Sequence, residues 1–266
     1  VKLLIPMAGA GSRFSDAGYI QSKPVLPIID RQTGRQLPMV VAATKELAVG
    51  QDISSYIFVD RDFHKASGVQ GEIGSYFSNA KFVTLTELSD GQASTCLMAK
   101  ALINDNEELL VGACDNGVDY CSTTFNDLRG SCDALIFTYR NNELVLDRPE
   151  AHGWVYVEED GKTVKRISVK KPISDTPLND HAIVASFWFK RGKDFISASE
   201  KMIKEDDRVN GEFYADQVMH HALDMGLTVK VIEVDRYFCW GTPKDYESYQ
   251  QTFSYWKQFV GEEEWL

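Results

Sequence analysis

With 266 residues, 44% of them apolar, the chain has enough hydrophobic material for one large domain or two small ones. A formal net charge of -11 excludes a general nucleic-acid surface, which needs a basic face, but not a nucleotide pocket that needs only a few local cations. The cysteines (Cys96, Cys114, Cys121, Cys132, Cys239) form no CxxC pair, and no leader-like or membrane-length apolar run occurs. The expectation is a soluble cytoplasmic protein with free thiols and no membrane partner.

Residues 3–7 read as a first strand, which ends in the small-residue loop Gly9-Ala10-Gly11-Ser12-Arg13 and is followed by Lys23-Pro24. Small residues let backbone amides approach a ligand, and a nest of such amides binds anions. Arg13 can fork onto phosphate oxygens, and Lys23 adds a compact charge. The loop therefore reads as a triphosphate cradle. The Walker A pattern is absent. A dinucleotide fingerprint would need a third glycine where Phe14 stands, and Pro24 and Pro27 interrupt the helix that unit requires, although Asp30 lies near the ribose position.

A helix is expected over 38–49, with Pro38 in its first turn and Gly50 closing it. Strands follow at 55–60, 81–86 and 108–113, with a helix over 93–102 whose Cys96, Leu97 and Ala101 share a face. Another strand covers 133–139. This alternation predicts a mixed, mostly parallel sheet flanked by helices in an α/β fold. Beyond residue 150, strands at 154–158 and 164–169 flank Asp160-Gly161, a two-residue hairpin signal. A strand at 182–189, helices at 193–204 and 213–225, a strand at 228–234 and a helical aromatic segment after Tyr246 complete the pattern. His220 and His221, adjacent on a helix, are expected to be one surface and one core histidine. No repeat or long linker divides the chain, so one domain over 1–266 is the economical reading.

The loop GAGSRF, the spacer DAGYIQ and the segment SKPVLPI resemble the N-terminal signature of the sugar nucleotidyltransferases, the nucleoside-diphosphate-sugar pyrophosphorylases. The resemblance implies a Rossmann-like, single-domain fold of the nucleotide-diphospho-sugar transferase type, with a nucleotide half over 1–150 and a sugar or acceptor half over 151–266. It implies a Mg²⁺-dependent conversion of NTP and a sugar 1-phosphate to NDP-sugar and pyrophosphate, for surface polysaccharide precursors. In that reading Gly9, Ala10, Gly11 and Ser12 cradle the nucleotide, and Arg13 and Lys23 stabilise the leaving pyrophosphate. Asp115, following the strand in LLVGACDN at the carboxyl edge where open α/β sheets bind ligands, becomes the Mg²⁺ ligand. A turn at Asp115-Asn116-Gly117 is the bland alternative.

Residues 90–94 (DGQAS) resemble a base-contacting segment in which Gly91 and Gln92 read the base. A plain helix start capped by Asp90 or Ser89 is equally compatible. In the second half, His152-Gly153-Trp154 and the segment 169–172 resemble sugar-side elements. Lys171 is assigned to the acceptor phosphate, and Trp154 is either a platform for a ring or a core residue. Glu212 and Asp216 would line the sugar pocket, unless they only serve the N-terminus of a helix. Two positions depart from the family pattern. Lys170 stands where a glutamate is usual, and Cys239, in YFCWGTP, stands where a metal-binding aspartate is usual. A thiol is a poor Mg²⁺ ligand, so Asp235, Asp216 or water are the candidates to compensate. Lys170 keeps open a cytidylyltransferase for a phosphorylated non-sugar acceptor, and Cys239 a non-catalytic nucleotide-sugar sensor. No Asp-x-Asp pair follows the central strand, where Asp115-Asn116-Gly117 supplies one carboxylate, and this disfavours a glycosyltransferase. The base, the acceptor and whether the protein is a homo-oligomer stay open.

Overall fold

The computed structural model describes residues 1–260. In chain order the elements are β1 (Lys2–Pro6), α1 (Ser12–Asp16), β2 (Pro27–Ile29), β3 (Gln36–Pro38), α2 (Met39–Leu47), β4 (Ser55–Arg61), α3 (Asp62–Ala66), α4 (Val69–Tyr76) and β5 (Ala80–Leu85). They continue with α5 (Gln92–Leu97), α6 (Lys100–Ile103), β6 (Leu109–Val111), β7 (Asn116–Asp119), α7 (Ser122–Arg129), β8 (Ala134–Tyr139) and α8 (Leu144–Asp147). The second half contains β9 (Gly153–Val157), β10 (Val164–Val169), β11 (His181–Phe189), α9 (Gly192–Lys204), α10 (Ala215–Asp224), β12 (Val229–Glu233), β13 (Arg236–Cys239) and α11 (Pro243–Val260).

β1 lies at the middle of the parallel part of the sheet, paired with β4 on one side and β6 on the other, and β5 extends beyond β4. Leu3 and Ile5 face one hydrophobic layer while Leu4 faces the other, and all three are fully buried. A strand covered on both faces is what a continuous apolar run encodes. The second half joins through β11, which runs antiparallel to β6, β8 and β9. A register shift between Ile183 and Phe187, with Ala185 at φ +62, bends β11 so that its two ends serve different neighbours. β12 returns parallel to β8, and β10 closes the other edge on β9. The two halves thus share one sheet of the mixed, mostly parallel kind that the sequence predicts, with helices packed on both faces.

Several local expectations change. The region 108–113 is not one strand: β6 stops at Val111 and β7 starts at Asn116, leaving Asp115 between two strands. The helix expected over 93–102 is two short helices separated by tight turns at Met98 and Ala99, whose amides bond to Thr95 and Cys96 carbonyls. Asp160-Gly161 does not form a two-residue hairpin loop. The connection spans residues 158–163, and the Asp160 carboxylate accepts from the amides of Lys162 and Thr163 and from the Thr163 hydroxyl. Those bonds hold its pKa down at about 2. Helices α3 and α4 were not anticipated. The aromatic segment after Tyr246 is helical to Val260, and its expected continuation lies outside the described residues. His221 is buried and His220 half-exposed, as expected. No helix among the described residues is long and apolar enough to cross a membrane.

Candidate active site

β1 delivers the glycine loop to the carboxyl edge of the sheet, where it forms one wall of a cleft of about 720 Å³. The amides of Gly9, Ala10, Gly11, Ser12 and Arg13 donate to no protein acceptor among the described residues. Gly11 adopts φ +65, a left-handed conformation that favours glycine. Gly9, Ala10 and Gly11 line the cleft, and consecutive unbonded amides of this kind are able to bind an anion. Phe14, where a third glycine would stand in a dinucleotide loop, anchors this wall instead. Its buried ring makes edge contacts with Tyr19 and with Tyr246 of α11, at centroid distances of 5.2 and 6.0 Å. Arg13 is exposed at the start of α1, and its guanidinium forms no ion pair among the described residues.

The opposite wall holds Asp115. Lys23, in a 3-10 turn over Lys23–Val25, donates from Nζ to Asp115 Oδ2 at 2.7 Å. Burial works against the Lys23 charge, but the carboxylate beside it more than offsets that and raises the lysine pKa. The pair ties the loop after β1 to the β6–β7 turn. Burial pushes the neighbouring Cys114 thiol up to about 11, so it is protonated at neutral pH.

β7 pairs antiparallel with β13, matching Asn116 with Cys239 and Gly117 with Phe238, and the Trp240 amide donates to the Asp115 carbonyl at 2.9 Å. Cys239 therefore sits beside Asp115. Gly241 closes the group: a Cβ there would lie 3.2 Å from Asp115 Oδ2 and 3.6 Å from Cys239 Sγ. The ribbon rests on a buried ion pair between Arg31 and Glu46 at 2.8 Å, with Glu46 Oε2 accepting the Val118 amide and Arg31 stacked 3.9 Å over Phe238. Burial raises the Glu46 pKa to about 7 against the opposing pull of Arg31.

A carboxylate bonded to the Cys239 thiol is one the sequence reading missed. Asp245, in the first turn of α11, accepts from Thr242 Oγ1 at 2.6 Å and from Cys239 Sγ at 3.6 Å. Its sequence signal is Thr242-x-x-Asp245, a helix-start pattern. The two compensating candidates lie elsewhere. Asp235 is exposed at the other end of the ribbon, where its amide bonds to the Asp119 carbonyl, and Asp216 lies in the first turn of α10. Burial, with Asp245 and Asp115 adding to it, pushes the Cys239 thiol up to about 12. A neutral thiol is no ligand for a hard cation. Among the described residues no three His, Cys, Asp or Glu side chains could hold a metal by themselves. Asp115 alone fits the way Mg²⁺ is commonly held, by one or two carboxylates together with substrate phosphates and water.

Gly91 and Gln92 open α5 on the third side of the cleft. Gly91 has φ +126 and ψ 179, and its approach is so close that a Cβ would lie 2.6 Å from the Phe213 carbonyl oxygen. The Phe213 amide donates to Asp90 O at 2.8 Å and the Ala93 amide donates to Phe213 O at 3.0 Å. This clip carries Glu212 to the cleft beside Gln92. Neither Asp90 nor Ser89 caps the helix through its side chain. His64, buried at the same cleft and absent from the sequence reading, accepts the Arg61 amide on Nδ1, and burial lowers its pKa.

Of the residues expected in the site, Gly9, Ala10, Gly11, Lys23, Gly91, Gln92, Asp115 and Glu212 line the cleft. Ser12 and Arg13 stand just behind its rim in α1. Trp154 does not offer a platform: its ring is 0% exposed within the core, and Nε1 donates to the Pro149 carbonyl. The core alternative holds there. Asp216 is buried in the first turn of α10, its Oδ2 pressed against the place a Gly153 Cβ would take. Burial raises its pKa to about 6, with Lys170 opposing. Lys171 is exposed, and its carbonyl accepts the Ser168 hydroxyl.

Neither a protein-family model nor a curated protein sequence matches the chain. Solved structures do. A nucleoside-diphosphate-sugar pyrophosphorylase from Vibrio cholerae RC9 superposes with a TM-score of 0.76 at 20% identity, covering 94% of this chain and 99% of that one. An inositol-1-phosphate CTP transferase from T. maritima gives 0.68 at 15% identity, covering 98% and 97%. A UDP-glucose pyrophosphorylase complexed with UDP-glucose gives 0.69 at 16% identity, covering 97% and 98%. The fold is therefore that of the nucleotidyltransferases, and it spans nearly the whole chain.

Proposed function

We propose that the protein is a nucleotidyltransferase that joins an NTP to a phosphorylated sugar or related small acceptor and releases pyrophosphate. The observation that carries this reading is the Lys23–Asp115 pair facing a loop of five unbonded amides across one cleft. A phosphate oxygen of the acceptor attacks the α-phosphorus, and the bond to the bridging oxygen of the β-phosphate breaks. Such a reaction needs positioning and charge neutralisation more than covalent chemistry. The amides of 9–13 and Arg13 take the phosphates, Lys23 supports the leaving group, and Gln92 offers an amide edge to the base. Residues 1–150 form the nucleotide half and residues 151–260 of the described chain carry the acceptor side. Asp115 would hold Mg²⁺ together with the nucleotide's phosphates, and the ion when bound neutralises phosphate charge. A supply of nucleotide-sugars for surface polysaccharide in the cytoplasm is the role that suits this chemistry.

The test is pyrophosphate release from CTP, UTP, GTP, ATP and dTTP with Mg²⁺ and a panel of sugar 1-phosphates and phosphorylated non-sugars such as phosphocholine. Acceptor-dependent release with one NTP supports the reading and names the base. Nucleotide binding without release from any acceptor would favour the sensor that Cys239 brings to mind.

A further inference from the structure

His64 lines the cleft but has none of the roles assigned so far. The parallel strands β6, β1, β4 and β5 lie side by side. After their carboxyl ends come, in that spatial order, Asp115, the glycine loop, His64 and Leu88, and all of them reach the cleft. His64 therefore stands one strand from the loop, on the side away from Asp115. Beyond it lies β5, from which the chain leads into Gly91 and Gln92.

Only 2% of His64 is exposed. Its Nδ1 accepts the Arg61 amide at 3.2 Å, so that nitrogen carries no proton. Burial, with Arg61 adding to it, outweighs Asp60 and Asp62 and lowers the pKa, so the ring is uncharged at neutral pH. A neutral imidazole has a single N–H, and the acceptor role of Nδ1 places it on Nε2. Among the described residues Nε2 has no hydrogen-bond partner, yet it is not one of the sealed side-chain atoms that lack one. It therefore meets solvent, and the solvent within its reach is that of the cleft. His64 thus offers the cleft one oriented, uncharged donor. Apolar side chains surround it. Phe63, its ring centroid 4.2 Å from that of His64, and Leu88 line the same cleft while 42% and 58% exposed. Apolar surface with a few placed polar groups is how pockets hold and orient a ring system.

A neutral donor among apolar side chains does not suit a phosphate, which the loop amides already serve. It suits an uncharged acceptor on a planar ring. We propose that His64 reads the nucleotide base, donating from Nε2 to a base carbonyl oxygen while Phe63 and Leu88 cover the ring. The site then selects bases that carry a carbonyl over adenine, which has none. This rests on the cleft taking a nucleotide, but not on turnover.

Calorimetry on the full chain, with Mg²⁺ and no acceptor, tests it. The probes are CTP, UTP, dTTP, GTP, ATP and inorganic tripolyphosphate. His64→Asn sets an oxygen near the Nδ1 position, where the Arg61 amide keeps its acceptor, and leaves nothing at Nε2. His64→Gln reaches the Nε2 position with an amide N–H. The triphosphate that binds the wild type best should carry a base carbonyl and lose about tenfold in affinity in His64→Asn, the scale of one hydrogen bond left unmade. His64→Gln should recover most of that loss, and tripolyphosphate should bind all three proteins alike. Nitrogen NMR of the wild type gives a reading without any substitution: the same nucleotide, and not tripolyphosphate, should shift the protonated Nε2 of His64. Equal affinity of that nucleotide for the wild type and His64→Asn overturns the inference and leaves the nucleotide site standing. So does an equal loss for tripolyphosphate, ATP as the tightest ligand, or an Nε2 signal that no NTP moves. NTPs that bind the wild type no better than tripolyphosphate overturn the nucleotide reading as well.

Discussion

Gly91→Ala is the perturbation that most directly tests how the cleft is assembled. Gly91 lies at φ +126 and ψ 179, a region essentially confined to glycine. An added Cβ would stand 2.6 Å from Phe213 O and 2.7 Å from Phe213 N. Neither is the movable tip of a side chain, so the two backbones must separate. Separation strains or breaks the bonds from Phe213 N to Asp90 O and from Ala93 N to Phe213 O. Backbone strain of about 1–3 kcal/mol and two hydrogen bonds worth about 1 kcal/mol each sum to about 3–5 kcal/mol. Domains commonly have about 5–15 kcal/mol in hand, so the variant should fold and be measurable. Urea unfolding should show a midpoint lowered by about 1–2 M, and hydrogen exchange should show the amides of Phe213 and Ala93 losing protection first. Since Gln92 and Glu212 line the cleft from the two sides of this clip, nucleotide affinity should fall as well. A midpoint within about 0.3 M of the wild type, with both amides still protected, would refute the reasoning.

Arg13→Ala and Lys23→Ala should each lower kcat by about 10²–10³-fold if they act as preorganised donors to the leaving group, and unchanged kcat in both would remove them from that role. Asp216, raised from 3.8 to about 6, keeps its proton longer in the folded state than in the unfolded one. Its stabilising contribution is therefore complete below pH 3.8 and is lost as pH rises through about 6. Asp216→Asn should remove about 3 kcal/mol of that pH dependence, read as the wild-type-minus-variant difference in urea stability between pH 4 and 8. Glu46 titrates in an overlapping window and stays in both proteins, so identical pH curves would count against the Asp216 assignment. Cys239→Asp would crowd a third carboxylate beside Asp115 and Asp245. Melting in EDTA should fall by about 2–4 °C per kcal/mol of repulsion and recover in Mg²⁺, whereas a Mg²⁺-independent melting temperature would separate this position from metal binding.

The sequence was most readable where the chemistry is local. The loop from Gly9 to Arg13 announces itself because backbone amides on small residues need nothing from elsewhere in the chain. Phe14 could be read as a missing glycine and as the end of GAGSRF but not as an anchor of the wall, since one of the two rings it meets belongs to Tyr246, more than two hundred residues away. Asp115 was recognised at a strand end, but not the β7–β13 ribbon that sets Cys239 beside it, because pairing between such short strands leaves no periodic trace. Asp245 was hidden for the same reason: read alone it is a helix-start residue, and only the fold brings its oxygen to the thiol. α4 escaped notice because VQGEIGSY holds two glycines and buries only Val69 and Ile73, too few to declare a face. Trp154 shows the opposite failure, a residue type suited to ring stacking that the fold uses as core.

On the proposed reading, a protein with a net charge of -11 handles polyanions and must separate its overall charge from its local field. At physiological ionic strength screening acts over about 8 Å, so the acidic outer surface is largely invisible to a phosphate already inside the cleft. There the balance is set by few groups. The loop amides contribute partial charges that need no counterion. Arg13 has no carboxylate partner among the described residues, whereas Lys23 is neutralised by Asp115. That difference suits different tasks. An unpaired cation is a standing attraction for a substrate, but a paired one holds a wall in place until a competing anion arrives. On the proposed reading, an entering triphosphate offers Lys23 that competing anion, and Asp115 is then left with oxygen to share with a hard cation. The same ion pair thus keeps the empty cleft shaped and leaves its two members free to act only when nucleotide is present.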